Sequence, residues 1–213
     1  MGDAENVGKD DIGFVSNTAI KEERRDFRAV SRRSARRRVG SRRHAGSRTT
    51  LGKAATLLTR LTDEDAFLSE LVLTLLLRGV EGTDGWYVAH RSEVGSCSLE
   101  VFVWPTGART QIHDHTSWGV LRCVVGTIFE ERYERLDDGT RFEHARLRKA
   151  WQLSWSTEDG VSTVLPGNDG IHRVGNPGGA TAISVHLYGP RLGEVDGRDY
   201  DPSRDYVCDR RLA

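Results

Sequence analysis

The stretch GARTQIHDHTSWGVLRCVVG, residues 107–126, decides the fold class of this chain. Within it, His113 and His115 are two positions apart. On a β-strand successive side chains alternate between the two faces, so both imidazoles should project from the same face. Two ring nitrogens that converge in this way suit a first-row metal such as iron, nickel, copper or zinc. Taken alone, the pair is equally typical of ordinary surface or packing histidines.

Glycines frame the histidine pair at fixed distances. Five residues separate Gly107 from His113, three separate His115 from Gly119, and six more precede Gly126. This spacing resembles the first motif of the cupin superfamily, a small β-barrel fold. The resemblance implies a metal site on the barrel wall.

A second set of residues follows downstream and resembles the second cupin motif. Its members are Gly160, Pro166, a turn over residues 167–170, His172 and Asn176. The two motifs together imply an all-β cupin, that is, a double-stranded β-helix or jelly-roll barrel. They also imply that His172 is the third metal ligand. Short β-rich runs separated by Gly, Asp and Pro after residue 82 independently favour an antiparallel barrel or sandwich.

Most cupins carry a glutamate where this chain has Gly119. The resemblance therefore implies three histidine ligands and no carboxylate. A neutral ligand set leaves the +2 charge of a metal ion uncompensated, which favours anionic incoming ligands such as a thiolate. Three protein ligands on a six-coordinate ion also leave positions for a substrate and O₂.

A carboxylate-free cupin of this kind resembles the cysteine dioxygenase family, including its bacterial 3-mercaptopropionate dioxygenase branch. The likeness runs from about Trp86 to about Pro190, and its strongest strings are GARTQIHDHTSWG, IHRVGN and TAISVHLYG. It implies one Fe²⁺ per chain, with O₂ as co-substrate. The implied reaction is the oxidation of a small thiol, cysteine or similar to 3-mercaptopropionate, to its sulfinic acid.

The string TAISVHLYG contains Ser184, His186 and Tyr188, which alternate along one predicted strand and share a face. They resemble the Ser-His-Tyr relay of the family. The resemblance implies that the Tyr188 hydroxyl points at the metal-bound substrate or oxygen, that His186 orients it, and that Ser184 fixes the tautomer of His186. The alternative is a satisfied hydrogen-bond network in the core without a part in catalysis.

Mammalian-type members of the family link a cysteine covalently to the relay tyrosine. The corresponding position here is Gly119, as in the mercaptopropionate-type enzymes, so we expect no crosslink. Cys123 lies four residues further on and is the alternative partner. Burial as a small hydrophobic residue is the default expectation for it.

The residue that binds a substrate carboxylate is left open by the sequence. The family's cysteine enzymes carry an arginine shortly after a tyrosine upstream of the first motif, and mercaptopropionate-type enzymes carry glutamine, but Ala89 occupies that position here. A surface side chain remains the alternative for each arginine considered instead. The candidates are His90, Arg91, Arg109, Trp118, Arg191 and Arg198.

Composition divides the chain in two. Residues 1–50 carry 13 Lys and Arg against seven Asp and Glu, although the whole chain is formally neutral. We predict a disordered Arg-rich tail over 1–50 and a cupin thiol dioxygenase-like domain over 51–213, comprising a helical layer at 51–80, a barrel at about 83–190 and an extension at 191–213.

The helical layer is predicted from dense apolar residues, with Thr62 or Asp63 as the N-cap and Gly79 at its end. A broad apolar face should pack on a sheet. That face comprises Ala66, Phe67, Leu71, Val72, Leu75 and Leu76.

The folded part is acidic, which disfavours binding to a phosphate backbone. A role in nucleic-acid binding or localisation would rest on the tail. The alternative interpretations of the tail are a solvated arm without a function and an upstream stretch wrongly included in the reading frame. Three cysteines are too few for a disulfide framework, and we find neither a secretory signal nor a long apolar run. We therefore expect a cytoplasmic protein, monomeric or a small homo-oligomer, with a small-molecule thiol substrate and without membrane or nucleic-acid partners.

Two rival functions remain. One is another metal-dependent cupin enzyme that uses zinc, nickel or manganese on a non-thiol molecule. The other is a non-catalytic cupin that binds a ligand, or a nucleic acid through its Arg-rich tail.

Overall fold

The structure, a computed structural model, describes residues 43–78, 85–94, 96–190 and 195–211. The predicted disordered tail falls almost wholly outside these residues. The helical layer begins at Arg43 rather than at residue 51, so its first turns occupy what was predicted as the end of the tail.

The described residues form two helices, eleven strands and one short 3-10 turn. The helices are α1 (Arg43–Glu64) and α2 (Ala66–Arg78). The strands are β1 (Tyr87–Val94), β2 (Cys97–Trp104), β3 (Ile112–His113), β4 (Gly119–Val125), β5 (Thr127–Arg135), β6 (Leu147–Ser156), β7 (Ser162–Val164), β8 (His172–Gly175), β9 (Ala182–Tyr188), β10 (Val195–Asp201) and β11 (Tyr206–Arg211), with the 3-10 turn at Gly167–Gly170.

Two antiparallel sheets make up the barrel and confirm the predicted cupin fold. One sheet has the strand order β1-β2-β9-β4-β7, and the other has the order β11-β10-β3-β8-β5-β6. Their inner faces pack together, because one buried cluster combines side chains of β2, β4 and β9 with side chains of β5 and β8. His113 on β3 and His172 on β8 lie on the six-stranded sheet, and the relay strand β9 lies on the five-stranded sheet.

The five-stranded sheet is buried on both faces, as β2 shows. Val101 and Val103 point outward into a cluster with the helical layer, where Leu58 of α1 is fully buried. Phe102 and Trp104, which alternate with these valines along the strand, point inward to the other sheet. This is why β2 reads as a nearly continuous apolar run rather than a simple alternation.

The helical layer is two helices, not one. The break falls at Asp65, whose Oδ1 accepts a hydrogen bond from the backbone N–H of Leu68 at 3.0 Å and thereby caps α2. The predicted caps, Thr62 and Asp63, are wrong. The Thr62 hydroxyl donates to the Leu58 carbonyl within α1, and Asp63 is held by Arg122.

The predicted apolar face of α2 is only partly buried. Leu68 is its buried residue, and Leu71, Val72 and Leu75 pack partly on the core. Phe67 and Leu76, which were also assigned to that face, are 45% and 46% exposed. The apolar stripe of α2 is wider than the surface against which it packs. Neither helix in the described part of the chain has the length and hydropathy of a membrane span.

The segment after residue 190 was predicted as an extension outside the barrel, but its described part consists of two regular strands. β10 and β11 form a hairpin, and β10 pairs with β3 through Asp199 opposite His113 and Tyr200 opposite Ile112. The six-stranded sheet therefore continues past the barrel limit predicted at residue 190. The strands were hard to recognise because Asp and Arg, which favour turns and surfaces, occupy both faces of β10 and β11 and leave no alternation of apolar and polar residues.

Candidate metal centre and hydrogen-bond relay

Three histidines converge inside the barrel. His113 ends β3, His115 follows it, and His172 begins β8 directly opposite His113. Their candidate ligand nitrogens all lie within 4.8 Å of one another, and all three residues are buried. The structure thus brings together the three side chains predicted as ligands, with no Asp, Glu or Cys in that group among the described residues.

A tight turn delivers His172 to this position. Pro166 leads into the 3-10 turn, which ends at Gly170, and a β-carbon on Gly170 would lie 1.8 Å from the Leu165 carbonyl oxygen. Only glycine fits there. Gly170, at the end of the turn in the second motif, therefore has a steric reason to be glycine.

Hydrogen bonds orient two of the three rings. His113 Nδ1 lies 2.9 Å from the Gln111 carbonyl oxygen, and His172 Nδ1 lies 2.8 Å from Glu130 Oε1. Because these acceptors require N–H at Nδ1, the lone pair of each ring lies on Nε2. His172 Nε2 lies 3.2 Å from His115 Nε2, a distance at which the two nitrogens can share a hydrogen bond or face one metal ion. The donor set fits a metal ion.

The three imidazoles are in the form that binds metal. Burial lowers the pKa of His113 and His115 well below the ordinary histidine value and also lowers the pKa of His172. The rings are consequently neutral at physiological pH, with lone pairs available for coordination.

Glu130 supports the third ligand and was missed by the sequence reasoning. Its carboxylate is fully buried and accepts hydrogen bonds from His172, from the Ser162 hydroxyl at 2.5 Å and from Arg132 at 2.8 Å. Burial alone would raise the pKa of Glu130, but these partners lower it, so the group is an anion. The sequence did contain a signal for this position. Glu130 lies two residues after the apolar Ile128 on β5, so both side chains point to the same, inner face of the strand.

The vacant carboxylate position and the relay tyrosine are neighbours. Gly119 on β4 pairs with Tyr188 on β9, and a β-carbon at Gly119 would lie 3.0 Å from Tyr188 Cδ1. Cys123 instead pairs with Ser184, and its thiol donates to the carbonyls of Val125 and Gly126. Burial raises the pKa of Cys123 to about 11. A Cys123–Tyr188 crosslink therefore has no support in the structure.

The predicted relay residues form a continuous hydrogen-bonded chain. Ser184 Oγ lies 2.7 Å from His186 Nε2, and His186 Nδ1 lies 2.8 Å from the Tyr188 hydroxyl. Trp104 Nε1, a donor only, gives a hydrogen bond of 2.8 Å to Ser184 Oγ. Burial lowers the pKa of His186 to about 3, which keeps this ring neutral.

Trp104 fixes only one end of the chain, because its N–H uses one of the two lone pairs of Ser184 Oγ. The neutral His186 ring donates from one nitrogen and accepts at the other, so the tautomer decides whether Tyr188 accepts from His186 Nδ1 or donates to it. With the proton of His186 on Nδ1, the Tyr188 proton is available to a further group. The Tyr188 ring lies 5.1 Å from the His115 ring, centroid to centroid, which puts it beside the metal-binding histidines.

The sequence profile of cysteine dioxygenase type I matches residues 87–202, more than half of the chain. The chain belongs to the cysteine dioxygenase type I family. Both the histidine cluster and the relay lie within the matched residues. Membership makes this a metal-dependent cupin of the dioxygenase type.

Solved structures are similar in part. A protein of Thermus thermophilus is 13% identical with a TM-score of 0.41, covering 55% of this chain and 96% of its own. A cupin superfamily protein of Desulfitobacterium hafniense is 12% identical with a TM-score of 0.37, covering 52% of this chain and 84% of its own. A sugar phosphate isomerase of the cupin superfamily from Silicibacter pomeroyi is 14% identical with a TM-score of 0.38, covering 60% of this chain and 77% of its own.

The candidates for substrate binding are scattered around this family site. Ala89, which occupies the position of the cysteine enzymes' arginine, packs outward on the helical-layer cluster. His90 also lies on that outer side, where its ring meets Phe67 at 5.1 Å. Arg109 is exposed, and Arg191 lies outside the described residues.

Three further candidates are closer to the barrel interior. The Trp118 ring is partly buried and lies against Gly189. Arg91 forms an ion pair with Glu100 at 3.0 Å, and Arg198 shares a cleft with His115. Arg91, Trp118 and Arg198 therefore lie closer to the barrel interior than the other described candidates.

Asp114, between the two histidines of the first motif, fixes Arg198. This buried carboxylate accepts hydrogen bonds from the Arg198 backbone N–H at 2.7 Å, from Arg198 Nε at 2.9 Å and from the Tyr200 hydroxyl at 2.8 Å. Because these donors belong to β10, Asp114 attaches the metal-binding segment to the C-terminal hairpin. No periodicity in the sequence indicated this link, since the partners are 84 and 86 residues away.

Proposed function

We propose that the protein is a non-haem Fe(II) thiol dioxygenase, which uses O₂ to oxidise a small thiol, cysteine or similar to 3-mercaptopropionate, to its sulfinic acid. The observation that carries the proposal is the combination of three buried, neutral imidazoles without a carboxylate and a relay tyrosine beside them. Membership of the cysteine dioxygenase family supports the same reaction.

His113, His115 and His172 would hold the ferrous ion. A ferrous ion bound there would supply the positions where thiolate and O₂ meet, with both oxygen atoms passing to sulfur. The neutral ligands leave its charge to attract a thiolate. Tyr188, held by His186 at the end of the relay, would orient the bound substrate or oxygen through a hydrogen bond from its hydroxyl, with the proton of His186 on Nδ1.

The finer properties of the protein are part of this proposal. Iron as the metal follows from the proposed reaction. A cytoplasmic location is supported by the free thiols of Cys97, Cys123 and Cys208. A monomer or small homo-oligomer without nucleic-acid partners stays a prediction.

Oxygen consumption with a panel of thiols tests the reaction. Iron-loaded protein should consume O₂ with at least one of cysteine, cysteamine or 3-mercaptopropionate, and mass spectrometry should show a product heavier by two oxygen atoms. Tyr188→Phe should lower kcat, whereas Tyr133→Phe, which removes a hydroxyl that donates to Glu131, should not. If no thiol supports oxygen uptake, the rival metal-dependent cupin enzyme with a non-thiol substrate takes the place of the dioxygenase.

Loss of metal in His113→Ala is the second arm of this test. Purified wild-type protein should contain iron in proportion to chain, and the variant should not. Metal-free wild-type protein would instead favour the non-catalytic cupin.

A further inference from the structure

Strand β6 forms an open edge of the six-stranded sheet. In the described part of the chain it pairs with β5 on one side and with no strand on the other. Residues 148–154 of this strand are all exposed. The free edge presents backbone N–H and C=O groups in a row, which is a template for pairing with another strand.

The inner face of β6 carries apolar side chains that the barrel does not cover. Leu153 pairs with the fully buried Glu130, so it lies on the inner face of the sheet. Trp151 and Trp155, two positions away on either side, share that face. Trp155 packs partly on the buried cluster between the sheets, but Trp151 and Leu153 are 44% and 51% exposed. No other described strand exposes a large apolar side chain to this degree.

The Trp151 ring is held in its exposed position. The guanidinium carbon of Arg132 lies 5.6 Å from the centroid of this ring. Arg132 is itself held by an ion pair of 2.8 Å with Glu130 and by a hydrogen bond of 2.6 Å to the Thr163 carbonyl oxygen. Because the ring is already ordered, its burial by a partner costs little side-chain entropy. Tryptophan is also among the residues that contribute most to the affinity of protein interfaces.

The usual protection of an edge strand is missing from the second half of β6. Charged side chains, prolines and bulges are the features that keep edge strands from pairing. In β6 the charged residues Arg148 and Lys149 and the bulge at Ala150 all precede Trp151. Residues 151–156, with the sequence WQLSWS, contain no charged residue and no proline. An uncharged segment attracts neither an acidic nor a basic strand, so its complement is another neutral strand.

The β6 sequence is complementary to itself. In an antiparallel arrangement with Leu153 opposite Leu153 of a second copy, Trp151 lies opposite Trp155, and Gln152 lies opposite Ser154. Apolar side chains then meet on one face of the joined sheet, and polar side chains meet on the other. A two-fold pair of this kind uses both free edges at once and therefore closes as a dimer.

We propose that two copies of this chain associate through β6, with the strands antiparallel and the two-fold axis beside Leu153. The two six-stranded sheets then form one continuous sheet, and the interface covers Trp151 and Leu153 of both copies. This association depends neither on a metal nor on the proposed reaction. Because a single strand pair buries less surface than a standard interface, we expect a reversible dimer with a dissociation constant of about 1–100 µM.

A disulfide across the axis tests the register. In Leu153→Cys the two thiols face each other, and facing β-carbons on paired strands are about 4.5–5.5 Å apart, close to the separation in a disulfide. Mild oxidation should therefore convert most of the full-length protein to a covalent dimer on a non-reducing gel. The matched control is the adjacent and equally exposed Gln152→Cys, whose counterpart lies about 7–8 Å away on the diagonal. It should cross-link no more than the wild type, in which Cys97 and Cys123 are buried and Cys208 is half-buried.

Sedimentation velocity of the full chain measures the association. The wild type should pass from monomer to dimer over about a hundredfold range of concentration around the dissociation constant. Leu153→Lys places two ammonium groups opposite each other at the axis and should weaken the dimer at least about tenfold. Leu153→Ile, which suits a strand, should keep it. The control is Leu77→Lys, because Leu77 is 79% exposed on α2, which packs on the other sheet, and the dimer should persist in it.

Three outcomes would overturn the proposal. A wild type that stays monomeric shows that β6 is unpaired or is covered by another segment of its own chain. A dimer that survives Leu153→Lys forms through another surface, which is α2 if Leu77→Lys abolishes it. Equal cross-linking of the two cysteine variants contradicts the register at Leu153. Should Leu153→Lys not fold, the two cysteine variants, which make small changes at exposed positions, still decide the proposal.

Discussion

At the scale of single residues, two buried side chains determine how the site is held. Glu130 binds the far nitrogen of His172, and His186 connects Ser184 to Tyr188. Neither contact involves solvent, because Glu130 is fully buried and His186 is 3% exposed. Hydrogen bonds in such surroundings are costly to leave unmade, so each residue should report on a distinct property.

Glu130 should set the metal affinity. In Glu130→Gln the His172 ring loses its anionic acceptor, and we expect affinity for ferrous ion to fall about 10- to 100-fold, as for other partners of metal-binding histidines. Competition with a coloured chelator measures the change. Glu134→Gln on the same strand, in an exposed pair, is the control and should leave the affinity unchanged. Equal affinities for wild type and Glu130→Gln would remove Glu130 from the ligand support.

His186 should make the fold sensitive to acid. Its pKa is about 3 when folded against an ordinary 6.5, so below pH 6.5 the unfolded chain takes up a proton that the folded chain does not. The contribution of His186 to the free energy of unfolding is therefore fully present above pH 6.5 and is lost as the pH falls toward 3. Between about pH 7 and pH 5 the free energy of unfolding should fall by about 2 kcal/mol through this group.

Urea unfolding of the wild type and of His186→Gln at both pH values isolates this effect. Glutamine can still accept from Ser184 and donate to Tyr188, but it does not titrate. The variant should lose about 2 kcal/mol less than the wild type over that range. The same loss in both proteins would show that His186 is not the group responsible.

At the scale of elements, the β10–β11 hairpin is part of the support of the metal site. β10 lies next to β3, and Asp114 receives hydrogen bonds from Arg198 and Tyr200. Arg210 of β11 adds a hydrogen bond of 2.8 Å to the Asp114 carbonyl oxygen. The segment that carries two of the candidate ligands is thus fixed to the hairpin by side chains as well as by the strand ladder.

Asp114→Ala should release the hairpin. The change leaves the Arg198 charge and the Tyr200 hydroxyl without their acceptor, at a cost of about 2–3 kcal/mol, less than for a fully buried pair because Arg198 is partly exposed. Hydrogen exchange of the backbone amides over 196–211 should accelerate more than exchange in β2 and β9. Glu134→Ala, at an exposed pair with Arg148 outside the hairpin, is the control and should cost under about 1 kcal/mol. Uniform acceleration in all strands would contradict a local release.

At the scale of the whole molecule, the two sheets carry different parts of the site. The six-stranded sheet supplies His113 and His172, and the five-stranded sheet supplies the relay that ends at Tyr188. The helices cover the outer face of the relay sheet and contribute Leu58 to its core. Metal binding should therefore stabilise the folded barrel as a unit rather than one strand.

Ferrous ion should raise the free energy of unfolding of the entire domain. At about a hundredfold excess over the dissociation constant the gain should be about 2.7 kcal/mol, since the unfolded chain lacks the assembled site. Anaerobic urea unfolding measures it. The gain should vanish in His172→Ala and persist in His90→Ala, because His90 lies on the outer side beside Phe67. A gain that survives in His172→Ala would place the metal elsewhere.

Much of the site could be predicted because it follows local rules. Strand alternation places His113 with His115, and Ser184 with His186 and Tyr188, and the spacing of glycines around them indicated the barrel. The N-cap at Asp65 was instead predicted at Thr62 or Asp63, since the apolar pattern continues through this segment and the cap depends on where α2 begins to pack.

From the amino-acid pattern alone it followed that His113 and His115 share one strand face and that Ser184, His186 and Tyr188 share another, because a period of two residues is inherent in an extended chain. The cupin barrel and the roles of these residues were what the family resemblance implied. The tertiary structure alone decided which carboxylate supports each group. Glu130 meets His172 across 42 residues, Arg198 meets Asp114 across 84, and a bulge in β1 turns Arg91 toward Glu100. Such pairings depend on strand register between distant segments, and a shift of one residue would direct each side chain to the opposite face.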